Sequence, residues 1–525
     1  TLAYGKVNNV AVSATGGKAY GLAARNSGIL SGDAAYKMQT LSVSSDNQAN
    51  GIYADGTNSS VNDARVGQLT VNSGSDAIGI LAASSDSVSA DVDSMSVTGA
   101  AGTTYGVEGY NGPAKLAMNG NMDVRSTRGV AIGAGGLTNG NVSFSGVKSL
   151  NVSSDTKLAY GIDVESGGKI NGSLESMNVY GGSGALGIFA NLNTTVDLAM
   201  SGDLNVRGSG ANALVDGVYV INGSAVTFTG VKNMTVSADG TGAAAYGINA
   251  AYYDKNNGTV SGDMQSLTVT SAHGAAYGID VSYDKVSSID IAKDLAVKGA
   301  AGGTGIKATG AAHQITVGGL TDVSLKNGIY ETNAIYANGA AIKLNGGLSA
   351  DVAVTSPDSP GTSAYGVRVE NGGSVTTGSG GKSLRVDSAS GSAYGIDISS
   401  DKVSTINIAK DLAVKGAAGG TGITAAGAAH QITVGGLTDV SIASGASKVI
   451  YAADGANVNL NGGVSLDVTG TGDVSGIKAA NGGNVTVSGD KAIVKASTTG
   501  DGAKAYAINN TGSGDVTIDT GDAGV

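Results

Sequence analysis

Short runs of alternating apolar and polar residues, each closed by a glycine-containing break, follow one another along the whole chain. Residues 159–184 show the unit. Tyr160, Ile162 and Val164 alternate with Gly161, Asp163 and Glu165, the period of two that marks a half-buried strand. This pattern puts the tyrosine on the face of the following isoleucine. Ser166-Gly167-Gly168 interrupts the run, with glycine supplying the positive φ that a corner demands. Ile170 lies in a second short segment, Met177-Asn178-Val179 opens a third, and Gly181-Gly182-Ser183-Gly184 leads into the next coil. One coil therefore holds three short strands and three corners.

Two landmarks repeat this unit in constant phase. The phrase Tyr-Gly-Ile occurs at Tyr160, Tyr246, Tyr277 and Tyr394, with looser copies at Gly51, Gly79, Gly187, Gly305 and Gly476. A second phrase, Leu or Met two residues before Val, follows the glycine of each Tyr-Gly-Ile site after about 16 to 20 residues. It runs through Leu41, Leu69, Met95, Met122, Leu150, Met177, Leu204, Met234, Leu267, Leu295, Leu384, Leu412 and Leu466. From Gly21 to the matching Ala507, seventeen steps cover 486 residues, a mean near 28.6. A fixed period of this size is the mark of stacked repeats. Equivalent strands of successive coils run the same way, and such crossovers are right-handed. The fold predicted is an all-β, right-handed parallel β-helix (a β-solenoid). It has three short strands per coil of about 28 residues and roughly 18 coils, one continuous solenoid over residues 1–525. At a strand spacing of about 4.8 Å it would extend on the order of 85 Å.

Residues 276–328 and 393–445 are near-exact copies, offset by about four coils. A whole number of coils leaves the stack in register, so Lys293 and Lys410, and His313 and His430, should take equivalent places. Asn-Gly-Gly corners at Asn345, Asn371, Asn461 and Asn481 are expected to share ladder hydrogen bonds along the stack.

Composition narrows the function. The 525 residues include 87 Gly, no Cys, no Trp and only three Pro, with a net charge of −11. Glycine is far above its usual share of about 7%, but no Gly-X-Y triplet runs through it. An apolar content of 41% in periodic positions excludes a disordered tract. No basic stripe is present for nucleic acid. No apolar run approaches the roughly 20 residues of a membrane helix. Opening at Thr1 and stopping at Val525 inside repeats, the chain reads as a segment of a longer protein that lacks a signal peptide and a C-terminal barrel.

Catalytic and metal motifs fail on context. His273, His313 and His430 are not at ligand spacing, and without Cys they read as corner or surface residues. Gly182-Ser183-Gly184-Ala185-Leu186-Gly187 fits a dinucleotide fingerprint in letters, but it joins two strands. Gly381-Lys382-Ser383 is likewise a corner. Asp515, Asp519 and Asp522 read as solvated turn acids. Asp163 and Glu165 share the outward face of one strand, where solvent-exposed acids belong. Sugar cleavage by such a pair is the minor reading. No metal, no cofactor and no enzymatic activity are expected.

Binding is sought where loops depart from the pattern. Tyr252, Tyr253, Asp254 and Lys255, then Tyr283, Asp284 and Lys285 one coil later, would form an exposed aromatic patch flanked by charges. Ser356-Pro357-Asp358-Ser359-Pro360-Gly361 and Tyr110-Asn111-Gly112-Pro113 are further irregular spots. The motif tyrosines, Tyr20, Tyr105, Tyr160, Tyr246, Tyr277, Tyr365 and Tyr394, read as packing residues.

Gly/Asn/Ser-rich coils, the lack of Cys, the low Lys and Arg content and the Tyr-Gly-Ile phrases together resemble the passenger region of bacterial type V autotransporters. The resemblance implies a β-helix carried to the cell surface by a C-terminal translocator barrel and serving adhesion, self-aggregation or biofilm growth. Its partners would be another copy of the chain or a cell-surface glycan or protein receptor, with membrane contact only through that barrel. Two alternatives stay open: a subunit of an extracellular filament or surface layer, and a polysaccharide-binding or -processing β-helix.

Overall fold

A computed structural model describes residues 2–250, 258–283, 285–310, 313–329, 331–355, 362–443 and 448–520, the Tyr283 side chain excepted. The described residues are all-β, with no helix among them. Their strands pair in parallel as a β-solenoid of about 18 coils of about 28 residues, the fold expected from the repeat. The chain divides into two compact units, Thr1–Gln265 and Ser266–Val525.

In each unit the Tyr-Gly-Ile phrases form wall 1, in which every strand pairs with its equivalent one coil on. Ile52 faces Ile80 and Ile162 faces Ile188 in the first unit. In the second, Ile279 faces Ile306 and Val367 faces Ile396. The Leu/Met-x-Val phrases form wall 3 in the same manner, as in Met122 beside Leu150 and Leu384 beside Leu412. Wall 2 lies between them. Every Leu or Met of the second phrase is at most 2 % exposed, and such burial contributes about 1.5–3 kcal/mol per side chain.

The constant phase of the two phrases has a steric cause. A Cβ placed on Gly106 would lie 2.6 Å from Met122 Sδ and 2.9 Å from Val124. One on Gly133 would lie 2.9 Å from both Leu150 and Val152. The glycine of wall 1 thus receives the Leu or Met of wall 3 across a narrow interior. These glycines are needed for space.

This packing corrects the face assigned to the tyrosines. Ala159, Ile162 and Val164 are fully buried, and a Cβ on Gly161 would meet Met177 and Val179, so Gly161 and Ile162 both turn inward in succession. Alternation slips by one residue there, and Tyr160 points outward together with Asp163. The ring of Tyr160 packs 5.9 Å from that of Phe189, the cross-strand neighbour of Asp163. Because every strand of the wall makes the same kink, register is kept.

Walls 2 and 3 differ between the units. In the first unit they often run as one long strand, such as Ser60–Ser73 or Asn141–Ser154. A register shift bends it between Val61 and Ala64 or between Phe144 and Val147. A single left-handed residue, Asp63 (φ 52°) or Gly146 (φ 72°), makes each bend. In the second unit a Gly-Gly corner separates two short strands, for example Ala341–Leu344 and Leu348–Val354 around Gly346 and Gly347 (φ 92°).

The four Asn-Gly-Gly corners fall in two columns, so they do not make one shared ladder. Asn345 and Asn461 turn wall 2 into wall 3, their N–H groups donating to the carbonyls of Val317 and Val434 one coil back, each at 2.8 Å. Asn371 and Asn481 close wall 1 in left-handed conformation. A side-chain amide ladder lies instead on the outer face of wall 3. There Asn151 donates to Asp123 (2.7 Å), Asn178 to Asn151 (2.9 Å) and Asn205 to Asn178 (2.9 Å).

His273 is exposed, as expected. His313 and His430 lie at corners, one of the two placements expected, and they are buried there. Their Nδ1 atoms accept the backbone N–H of Ser287 (3.0 Å) and Ser404 (3.1 Å). A corner whose N–H turns inward needs an acceptor, and imidazole supplies it. The two copies match in this respect.

Candidate functional site

The inward slip at glycine leaves two outward positions per coil on wall 1, the tyrosine position and the one three residues later. In the first unit these form a stripe of aromatic, aliphatic and acidic side chains. Tyr20 packs on Tyr53 at 5.0 Å, and Phe189 contacts both Tyr160 (5.9 Å) and Tyr219 (5.5 Å). Tyr53, Ile78, Leu81 and Ala83 form a small buried cluster against which Tyr20 and Tyr105 pack. Ile132 and Leu186 at the same positions are 3 % and 5 % exposed. Cross-strand neighbours on a twisted parallel sheet cover one another in this way.

Acids are set among these apolar groups. Glu108 and Asp163 are buried on this face, whereas Asp163 was expected to be solvent-exposed. Burial, then the nearby charge of Asp76, pushes the Glu108 carboxyl up to about 7. Burial, then Glu165, pushes Asp163 up to about 7. Burial also raises Asp216 to about 7, opposed by the Asn249 amide that donates to it at 3.1 Å. Desolvation is the largest cause of each shift, and among the described residues no cation offsets it. Burial raises the Tyr105 hydroxyl as well, reinforced by Glu108, Asp163, Glu165 and Asp76.

The same positions in the second unit carry compensated charge. Asp280 faces Lys307 at 3.6 Å. Arg368 pairs with Glu331 (3.0 Å) and Glu370 (2.8 Å), and its guanidinium lies 5.0 Å from the Tyr336 ring and 4.7 Å from that of Tyr365. Tyr365 in turn stacks on Tyr394 at 4.6 Å.

Of the residues singled out from sequence, Tyr252, Tyr253, Asp254, Lys255 and Asp284 lie outside the described residues, as do the Tyr283 side chain and residues 356–361. Lys285 is exposed just after the strand Ala276–Tyr283. Tyr110 is 47 % exposed at its corner. The acidic and aromatic stripe was missed because the alternation rule placed its tyrosines with the core. The signal that would have found it is the glycine itself, which marks where alternation slips. Outside wall 1, a shallow groove of about 420 Å³ on the outer face of wall 3 runs past the amide ladder, lined by Asn178, Tyr180, Asn205 and Arg207.

Among the described residues no group of three or more His, Cys, Asp or Glu is arranged to hold a metal ion, and no helix is long and apolar enough to cross a membrane. No family model, no curated protein and no solved structure matches this chain.

Proposed function

We propose that this chain is a non-enzymatic adhesive scaffold displayed on a bacterial surface, with the outward face of wall 1 in the first unit as its contact surface. The observation that carries the reading is the row of partly exposed rings, Tyr160, Phe189 and Tyr219, at successive strand positions and 5.5–5.9 Å apart. Rings held at strand spacing on a rigid sheet bury large area at little entropic cost. They suit a receptor that runs along the stack, such as a glycan chain or the same face of another copy. The type V passenger resemblance supports the surface location. A closed interior filled by Leu, Met, Val and Ile leaves the outer faces to carry recognition.

The test mixes cells displaying the protein with cells that lack it. Tyr160→Ser, Phe189→Ser and Tyr219→Ser together should abolish adhesion or clumping while the purified chain keeps its β-structure. Undiminished adhesion by the triple variant would end this reading. Clumping only between two displaying populations identifies self-association, and capture of bare cells identifies a receptor.

A further inference from the structure

The ring of Tyr105 lies over the backbone of Gly135, where an added Cβ would come within 3.0 Å of Tyr105 Cε1. In register on either side of Gly135 are Glu108 and Asp163. Two carboxyl groups therefore flank one aromatic ring at two strand spacings, about 9.6 Å along the stack. Glu165 and Asp76 also act on the ring's hydroxyl, so all four charged groups that shift it are carboxylates. Asp163 is 7 % exposed, and its Oδ1 has no hydrogen-bond partner. Burying an acid without a partner is costly. The equivalent Asp280 of the second unit also leaves its Oδ1 without a partner, but it has Lys307 beside it at 3.6 Å.

We propose that Tyr105, Glu108 and Asp163 form a binding site for an organic ammonium group, the protonated amine of an amino sugar in a glycan chain. An aromatic face attracts a cation through its quadrupole, and the flanking carboxylates accept the ammonium N–H donors as charge-assisted bonds. Gly135 leaves room for the Tyr105 ring between the two acids. The continuation of the face through Tyr160, Phe189 and Tyr219 gives neighbouring sugars a surface to stack on, which favours a polymeric glycan over a lysine side chain. This inference rests on the reading of the face as a contact surface and adds the chemistry of the partner.

The experiment titrates the purified chain, by calorimetry at neutral pH, with chitosan oligomers, with their fully N-acetylated counterparts and with a lysine-rich peptide. The expected result is binding to chitosan that is roughly tenfold or more weaker for the acetylated oligomer. Glu108→Gln with Asp163→Asn should weaken it by a similar factor while the thermal midpoint holds or rises, because a buried charge has been removed. Gly135→Ala, which crowds the Tyr105 ring without touching a charge, should also weaken it. No binding to chitosan, or equal binding by the double variant, overturns the proposal. Equal binding of both oligomers removes the ammonium and leaves the contact face standing. Preference for the peptide overturns the glycan source. Loss of cell adhesion in the ring variants with intact chitosan binding separates this site from the adhesive one.

Discussion

The outward face of wall 1 is built twice on one backbone plan, and the two units use it in opposite ways. In the first, Glu108, Asp163 and Asp216 are buried among rings and aliphatic side chains, with no cation beside them among the described residues. In the second, Asp280 has Lys307, and Arg368 joins Glu331, Glu370, Tyr336 and Tyr365 into one network. A parallel sheet fixes where these side chains project and leaves open how they are satisfied. The second unit sets a cation near its acids, although burial still raises Asp280 and Asp397. The first leaves them short of partners, which is the usual condition of a binding surface.

The largest effect should come from the feature both units share. Gly133→Leu would drive a side chain into Leu150 and Val152, at a cost of about 3 kcal/mol, the upper range for overpacking. Ala334 and Val449 hold the glycine's place in the second unit and are fully buried, so a side chain smaller than Leu is accepted there. Hydrogen exchange should show the loss confined to the coils around Gly133, because repeats couple mainly to their neighbours. Protection lost evenly across the unit would contradict that packing.

The acids come next. Their folded pKa values lie above the unfolded ones, so their contribution is present at low pH and is lost as pH rises toward about 7 and beyond. Glu108→Gln with Asp163→Asn should therefore stabilise the first unit by about 2 kcal/mol at mildly alkaline pH and by almost nothing near pH 4. Thermal midpoints across that range check it. A constant offset would show that burial is not the cause.

The second unit should respond in the other direction through the buried imidazole of His430. His430 is held below its usual pKa, chiefly by burial, with the Ala426 and Ser400 backbone and Asp454 opposing. Its Nδ1 must stay unprotonated to accept the Ser404 N–H. Stability here is present above about pH 6.5 and is lost as pH falls. His430→Gln should flatten this acid response at a cost of about 1 kcal/mol for the corner hydrogen bond. Exchange at Ser404 against pH reads it directly. The smallest effect is expected of Arg368→Met, about 1 kcal/mol, since its ion pairs are partly solvated. It should raise exchange around Tyr336 and Tyr365 and leave the first unit untouched.

The repeat was legible because it is local. Leu or Met two residues before Val marks wall 3 at every position named from the sequence, and all of those residues proved buried. The burial of Asp163 and the outward turn of Tyr160 were not legible, because both depend on Gly161 receiving Met177 from the facing wall, a contact between residues that no alternation rule connects. The burial of His313 and His430 at their corners was not legible for a similar reason: the N–H groups they accept belong to the previous coil, 26 residues away.

Sequence alone determined the period, the parallel stacking and the residues that fill the interior, since a narrow repeating core admits only small or slender apolar side chains in fixed phase. Tertiary structure decided which face each tyrosine takes and whether an acid meets a cation. Those outcomes turn on partners one coil away or across the interior, and only the folded stack brings them within reach.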